Sequence, residues 1–150
     1  AIKIEGGRDV ADDIEKLVAT GIPVLGHIGL LPQTVKAIGG YRKFGGSKQE
    51  AESIYTDAIS LEEAGCFAIV AEMLEDTVAT ELARQIMPPL IGIGSGSNCD
   101  GQILVTTDLL GWSNGGVPKF VRPYVNLNKV VADGLRRYVQ DVRTSKIEGK

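Results

Sequence analysis

The sequence has few of the residues that mark disulfide-rich or nucleic-acid-binding proteins. Its 150 residues include only two cysteines, Cys66 and Cys99, which lie far apart and form no CxxC pair. This pattern argues against a disulfide framework and favours a reducing compartment, so we expect a cytoplasmic protein. The 16 basic residues are outnumbered by 19 acidic ones, which gives a net charge of −3. We therefore expect no nucleic-acid partner.

Two further absences narrow the classes of function. No apolar run approaches the ~20 residues that span a bilayer, so we expect no membrane partner. The glycine-rich stretch GIGSGSNCDG at residues 92–101 matches neither the G-x-G-x-x-G dinucleotide fingerprint nor the phosphate-binding P-loop. A loop that contacts a substrate or an anion is the interpretation that fits it better.

Apolar runs that end in glycine clusters alternate with amphipathic segments along the chain. This alternation predicts an α/β fold of parallel strands and helices in one domain, residues 1–143, followed by a polar tail, residues 144–150. The predicted strands span residues 1–5, 22–28, 66–72, 89–94 and 118–124. The predicted helices span residues 10–19 after a capping Asp9, 47–64 with a capping box that begins at Ser47, and 77–86, with a last helix after Asn126 or Asn128. A short helix and turn are predicted at residues 33–40, and a helical turn at 105–110.

Four polar side chains fall on strand faces that should point inward. Because side chains alternate along a strand, Lys3 and Glu5 share one face and Ile2 and Ile4 share the other. The same alternation makes Glu72 the last inward-pointing residue of its strand. His27 lies near the end of the second strand. In a parallel barrel the carboxyl ends of the strands carry the chemistry, so these four residues are candidates for an active site. A solvated Lys3–Glu5 pair, a structural His27 and a helix-capping Glu72 remain open alternatives.

Several ordered motifs together resemble one enzyme family. They are AIKIEGG at residues 1–7, PVLGHIGLLPQ at 23–33, LEEAGCFAIVAE at 61–72, IGIGSGSNCDGQ at 91–102 and PKFVRPY at 118–124. In this order and spacing the sequence resembles the ketopantoate hydroxymethyltransferase family nearly from end to end.

The resemblance implies a (β/α)8 TIM-type barrel of which this chain covers about the last five strands. It implies transfer of a hydroxymethyl group from 5,10-methylenetetrahydrofolate to 3-methyl-2-oxobutanoate, which gives 2-dehydropantoate for pantothenate and coenzyme A biosynthesis. By the same resemblance Glu72 is the general base, Lys3 contacts the keto acid, His27 lines the site and Glu5 binds Mg²⁺. A homo-oligomer is also implied.

The resemblance further implies that two metal-binding aspartates of the family lie on strands that precede Ala1. We therefore expect an N-terminal half-barrel, as a chain or a segment, to be a partner. Two alternatives stay open: a Mg²⁺-dependent 2-oxo acid lyase of the phosphoenolpyruvate mutase and isocitrate lyase group, and a non-catalytic subunit that completes another chain's barrel.

Overall fold

The computed structural model of the chain describes residues 1–37, 39–113 and 116–146. The chain divides into two compact units, Ala1–Ile103 and Leu104–Lys150. The first unit contains the sheet and the predicted site residues, and the described part of the second contains two helices. Across the described ranges, no helix is both long and apolar enough to cross a membrane.

A five-stranded parallel sheet organises the first unit. Its strands lie side by side in chain order, which is the result expected when each strand is followed by a crossover helix or loop. The strands are β1 (Ile2–Lys3), β2 (Val24–Gly29), β3 (Ala68–Glu72), β4 (Leu90–Ile93) and β5 (Gly101–Gln102). The helices are α1 (Ala11–Ala19), α2 (Lys48–Glu63) and α3 (Asp76–Gln85), with 3-10 turns at Arg8–Val10 and Pro32–Thr34.

The hydrophobic core lies between one face of the sheet and these three helices. Alternate strand residues, among them Val24, Ile28, Ile69 and Leu90, join a buried apolar cluster with residues of all three helices. The helix residues are Ile14 of α1, Ile54, Ala58 and Leu61 of α2, and Val78, Ala79 and Leu82 of α3. Since each fully buried valine, leucine or isoleucine side chain contributes about 1.5–3 kcal/mol, this cluster holds the helices on the sheet.

The strand register directs the polar residues to the opposite face. Lys3 pairs with Leu25 and His27 pairs with Val70, so these side chains alternate with the core residues of the same strands. Glu72, the last residue of β3, lies between Gly29 of the neighbouring strand and Ile93 of β4. The carboxyl ends of β1, β2 and β3 therefore meet at one edge, as the sequence predicts.

The second unit contains a short helix and a long one, α4 (Thr106–Leu109) and α5 (Leu127–Arg143). Asn126 caps α5, because its side chain accepts a hydrogen bond from the Lys129 backbone N–H at 3.0 Å. The backbone N–H of Tyr124 donates to the Leu109 carbonyl oxygen at 2.8 Å and joins the segment before α5 to α4. No residue of α5 is buried.

The structure confirms the α/β alternation and corrects several local predictions. Residues 118–124 form no strand; Pro118 and Pro123 lack the N–H that a ladder requires, and the Val121 N–H instead closes a turn onto the Pro118 carbonyl oxygen at 2.9 Å. The fifth strand is β5, which at two residues is too short to show a period. The short helix and turn predicted at residues 33–40 correspond to a 3-10 turn at Pro32–Thr34 followed by turn residues 35–37, with Ile38 outside the described residues.

Of the two predicted helix caps in the first unit, one is wrong and one is confirmed. Asp9 does not cap the first helix, because Val10 is the N-cap residue and no side chain bonds to that end. Ser47 does cap α2, since its hydroxyl accepts from the Glu50 backbone N–H at 3.2 Å. Most of the predicted polar tail, residues 147–150, lies outside the described residues.

Candidate active site

Lys3 and Glu5 form an ion pair at the end of β1. The Lys3 Nζ and Glu5 Oε1 atoms are 2.8 Å apart, and the two side chains are 40% and 28% exposed. Pairs that are exposed to this degree contribute little to stability, roughly 0–1 kcal/mol. Both groups can therefore exchange their mutual contact for a ligand at small energetic cost.

His27 is the buried polar residue of β2. It is 1% exposed, and its Nε2 atom is 2.8 Å from the Leu30 carbonyl oxygen. A carbonyl oxygen can only accept, so Nε2 carries the proton. Burial, the largest cause, lowers the pKa of His27, which keeps the ring neutral. Its Nδ1 atom is then a buried acceptor that finds no hydrogen-bond partner among the described residues.

Glu72 lies next to His27, with its Oε2 atom 3.4 Å from the histidine Nε2. Its side chain is 15% exposed. The pKa of Glu72 is raised, and burial is the largest cause. The positive charge of Lys3 lowers this pKa, and the negative charge of Glu5 raises it. The same two charges act on His27, so all four predicted residues share one electrostatic environment. A carboxylate with a raised pKa at a strand end is a suitable proton acceptor.

The backbone around Glu72 is closely packed against β2. The Leu30 N–H donates to the Glu72 carbonyl oxygen at 2.9 Å. Gly29 has a φ of +88°, and a Cβ atom there would overlap that same carbonyl oxygen and approach Leu74 Cδ2 to 2.7 Å. Only glycine allows the two strand ends to come this close. Met73, which follows Glu72, has a left-handed φ of 55°, a conformation that is uncommon for a residue with a side chain.

The segment 41–46 lies beside this turn. The Phe44 N–H donates to the Met73 carbonyl oxygen at 2.7 Å, and the Glu75 N–H donates to the Phe44 carbonyl oxygen at 2.8 Å. Arg42 pairs with Glu50 at 2.7 Å, and Lys43 pairs with Asp76, which anchors the segment to α2 and α3. These contacts attach the segment to the residues next to Glu72.

Ser95 is a residue of this region that the sequence analysis did not single out. It is 1% exposed, and its hydroxyl bonds to the backbone on both sides of Glu72. The glycine-rich stretch that contains it folds back on β4: the Asp100 carboxylate accepts from the Leu90 N–H at 2.8 Å, and the Gln102 amide donates to the Gly96 carbonyl oxygen at 3.0 Å. The predicted contact of this stretch with a substrate or an anion stays a prediction.

The residues available for a metal ion are few. In the parts of the chain that the structure describes, no group of three or more histidine, cysteine, aspartate or glutamate residues could hold one. Glu5 offers a single, accessible carboxylate. Mg²⁺ is commonly bound through one or two carboxylates with substrate oxygens and water, so one ligand from this chain is compatible with such an ion.

The family whose description is ketopantoate hydroxymethyltransferase matches residues 1–148. Three relatives are each named 3-methyl-2-oxobutanoate hydroxymethyltransferase. That of Bacteroides thetaiotaomicron is 46% identical over 95% of this chain and 52% of its own length. That of Carboxydothermus hydrogenoformans is 47% identical over 95% of this chain and 52% of its own length. That of Prosthecochloris aestuarii is 45% identical over the whole of this chain and 54% of its own length.

The chain spans about half the length of the curated relatives that it matches. The family match nevertheless extends from Ala1 almost to the last residue, and it includes all four polar residues at the strand ends. The chain belongs to the ketopantoate hydroxymethyltransferase family.

Proposed function

We propose that this chain is the part of a hydroxymethyltransferase that carries the general base. The reaction joins 3-methyl-2-oxobutanoate to the one-carbon unit of 5,10-methylenetetrahydrofolate. Overall, one water is consumed, and 2-dehydropantoate and tetrahydrofolate are released. The observation that supports the proposal is the position of Glu72. It is a mostly buried carboxylate with a raised pKa at the carboxyl end of a parallel strand, and it feels the charge of Lys3, which can bind an anion.

Each side chain has a role that its surroundings support. Glu72 removes the proton from C3 of the keto acid, and the electron pair left behind becomes the enolate that bonds to the one-carbon unit. Its raised pKa makes it a stronger base than an ordinary glutamate, provided that it is ionised. Lys3 leaves Glu5 to bind the substrate's carboxylate and keto oxygens, where a fixed positive charge stabilises the developing enolate. His27 offers its unpartnered Nδ1 as an acceptor.

We propose Glu5 as this chain's ligand for Mg²⁺. When bound, the ion supplies Lewis-acid stabilisation of the enolate oxygen. The remaining ligands belong, in this proposal, to the portion of the relatives' length that this chain does not span, whether in the same polypeptide or in a partner chain. That portion would also close the parallel sheet into a (β/α)8 barrel, and the complete protein would form a homo-oligomer in the cytoplasm.

Deuterium exchange at C3 of 3-methyl-2-oxobutanoate, followed by NMR in D2O, tests this function. It is measured in the protein that contains this chain, with and without Mg²⁺. Exchange that requires Mg²⁺ and disappears in Glu72→Gln supports the proposal, while exchange at the normal rate in the variant places the base elsewhere.

Dependence on the folate separates the transferase from a 2-oxo acid lyase. A lyase would break or form its carbon–carbon bond without 5,10-methylenetetrahydrofolate. Formation of 2-dehydropantoate only when the folate is added supports the transferase. Absence of both exchange and product, in a protein that binds the keto acid, would instead support a non-catalytic subunit.

A further inference from the structure

The turn that follows Glu72 has a conformation that requires support. Met73 is left-handed, with a φ of 55°. For a residue with a side chain this conformation is unfavourable, and it persists only where the surrounding structure holds it. Because Met73 is bonded directly to Glu72, relaxation of this residue would change where the carboxylate points.

Backbone hydrogen bonds hold the turn on three sides. The Glu72 carbonyl oxygen accepts from the Leu30 N–H at 2.9 Å, and the Met73 N–H donates to the Ile93 carbonyl oxygen at 2.9 Å. The Met73 carbonyl oxygen accepts from the Phe44 N–H at 2.7 Å. These bonds fix Glu72 and Met73 to their neighbours, but they leave the Leu74 N–H without a backbone partner among the described residues.

Ser95 supplies that partner. Its Oγ atom accepts from the Leu74 N–H at 2.9 Å and donates its own proton to the Ala71 carbonyl oxygen at 2.7 Å. Ala71 precedes Glu72, and Leu74 follows Met73. One hydroxyl group therefore spans the two residues whose conformation aims the carboxylate. The hydroxyl is completely buried, so water cannot replace it without a rearrangement of the loop.

We propose that Ser95 is a positioning residue for Glu72. Its hydroxyl holds the left-handed turn in place, and it acts on the reaction through the backbone and not by contact with the substrate. The inference rests on the proposed function, because it assumes that Glu72 is the base. Neither the family resemblance nor the strand pattern gives this role to Ser95, which lies in the glycine-rich stretch.

The kinetic signature of this role differs from that of a substrate ligand. Small displacements of a catalytic group reduce the chemical step much more than they reduce binding. For C3 exchange by the protein that contains this chain, we expect Ser95→Ala to lower kcat by on the order of ten-fold. We expect KM to change by less than about two-fold, since no ground-state contact is lost.

Two further variants separate positioning from a general loss of stability. Ser95→Thr keeps the hydroxyl but places an extra methyl group in a fully buried site, so it should be no more stable than Ser95→Ala and yet more active. Ser60→Ala is the matched control: it removes a serine hydroxyl that donates to the Thr56 carbonyl oxygen at 2.9 Å within α2, away from the strand ends. Its kcat should equal that of the wild type.

Amide hydrogen exchange of Leu74 tests the hydrogen bond without any catalysis. In Ser95→Ala the Leu74 N–H should exchange on the order of ten-fold faster than in the wild type, relative to the amides of β3. An unchanged Leu74 rate, an unchanged kcat in Ser95→Ala, or a folded Ser95→Thr that is as slow as Ser95→Ala would each overturn the inference. A wild-type protein that exchanges no C3 deuterium would refute the proposed function instead, and the Leu74 rate would then decide alone whether Ser95 holds the turn.

Discussion

A methyl group added at Gly29 tests how closely β2 and β3 are packed at the site. Gly29 has a φ of +88°, and a Cβ atom there would lie only 2.2 Å from the Glu72 carbonyl oxygen. The left-handed conformation costs a residue with a side chain about 1–2 kcal/mol. The overlap adds about 1–3 kcal/mol, because a backbone oxygen cannot rotate away as the end of a flexible side chain can. We therefore expect Gly29→Ala to lower the free energy of unfolding by about 2–5 kcal/mol.

Gly21→Ala is the matched control for the conformational part of this cost. Gly21 has a nearly identical φ of +86°, but a Cβ there would meet no atom within 4 Å. This variant should lose only the cost of the left-handed conformation, about 1–2 kcal/mol. The difference between the two variants then isolates the overlap with Glu72 and Leu74.

Urea denaturation followed by circular dichroism measures both variants in the protein that contains this chain. The midpoints should differ while the dependence on urea stays the same, which indicates a change in stability and not in the unfolded state. If the two variants differ by less than about 0.5 kcal/mol, the range of an ordinary surface substitution, the close approach of Gly29 to Glu72 is refuted. Catalysis should respond in the same order, since Gly29→Ala displaces the carbonyl of the base and Gly21→Ala does not.

Three other predictions concern the first unit. Leu61→Ala, at a fully buried position, should lower the free energy of unfolding by about 2–5 kcal/mol. The control Ile59→Ala, at a half-exposed position, should lower it by about 0.5 kcal/mol or less. Equal losses in urea melts of the two variants would contradict the assignment of Leu61 to the core. Burial and the hydrogen bond to Glu81 raise the pKa of Tyr55 to about 12. An ultraviolet titration should therefore contain a late ionisation that disappears in Tyr55→Phe and moves to lower pH in Glu81→Gln. An identical titration curve in both variants would count against this assignment. Burial raises the pKa of the Cys66 thiol, so it should react with a disulfide reagent only slowly until urea unfolds the protein, and fast labelling of native Cys66 would rule this out.

The residues that face the site could be predicted because strand alternation is a local property. The two-residue period assigns Lys3 and Glu72 to one face as soon as the strands are placed. The helices α2 and α5 were predictable for the same reason, since their capping residues Ser47 and Asn126 lie in the sequence next to the helices they begin. The sequence could not choose between a structural and a functional His27, because that choice depends on its burial and on Leu30.

Other features depend on contacts between distant parts of the chain. Ser95 bonds to residues that lie 21 and 24 positions earlier, and nothing in its neighbourhood distinguishes it from the exposed Ser97. The left-handed Met73 follows from such contacts and not from the preference of methionine. The stretch at 118–124 misled the prediction in the opposite way: its apolar residues suggest a strand, while its two prolines prevent a regular ladder.

Replacement of Glu72 by glutamine also has a consequence for stability. The folded-state pKa of Glu72 is raised above its ordinary value, so the folded state is favoured by this group at low pH and loses that advantage as the pH rises through the raised pKa. Since neutral pH lies above the ordinary pKa of a glutamate, burial of this carboxyl group is destabilising there. We expect Glu72→Gln, with its neutral amide, to be at least as stable as the wild type at neutral pH, and urea melts of both proteins check whether unfolding explains a loss of activity.

The proposed role of Glu72 as the base is tested most directly by Mg²⁺-dependent deuterium exchange at C3 of 3-methyl-2-oxobutanoate. The exchange is measured by NMR for the wild type and for Glu72→Gln. Binding of the keto acid and a urea melt are measured for both proteins. If Glu72 is the base, we expect exchange in the wild type and none above background in Glu72→Gln. We also expect both proteins to bind the keto acid similarly, and the variant to be at least as stable as the wild type. A stable variant that binds the keto acid and still exchanges the C3 proton at the wild-type rate would contradict this role of Glu72.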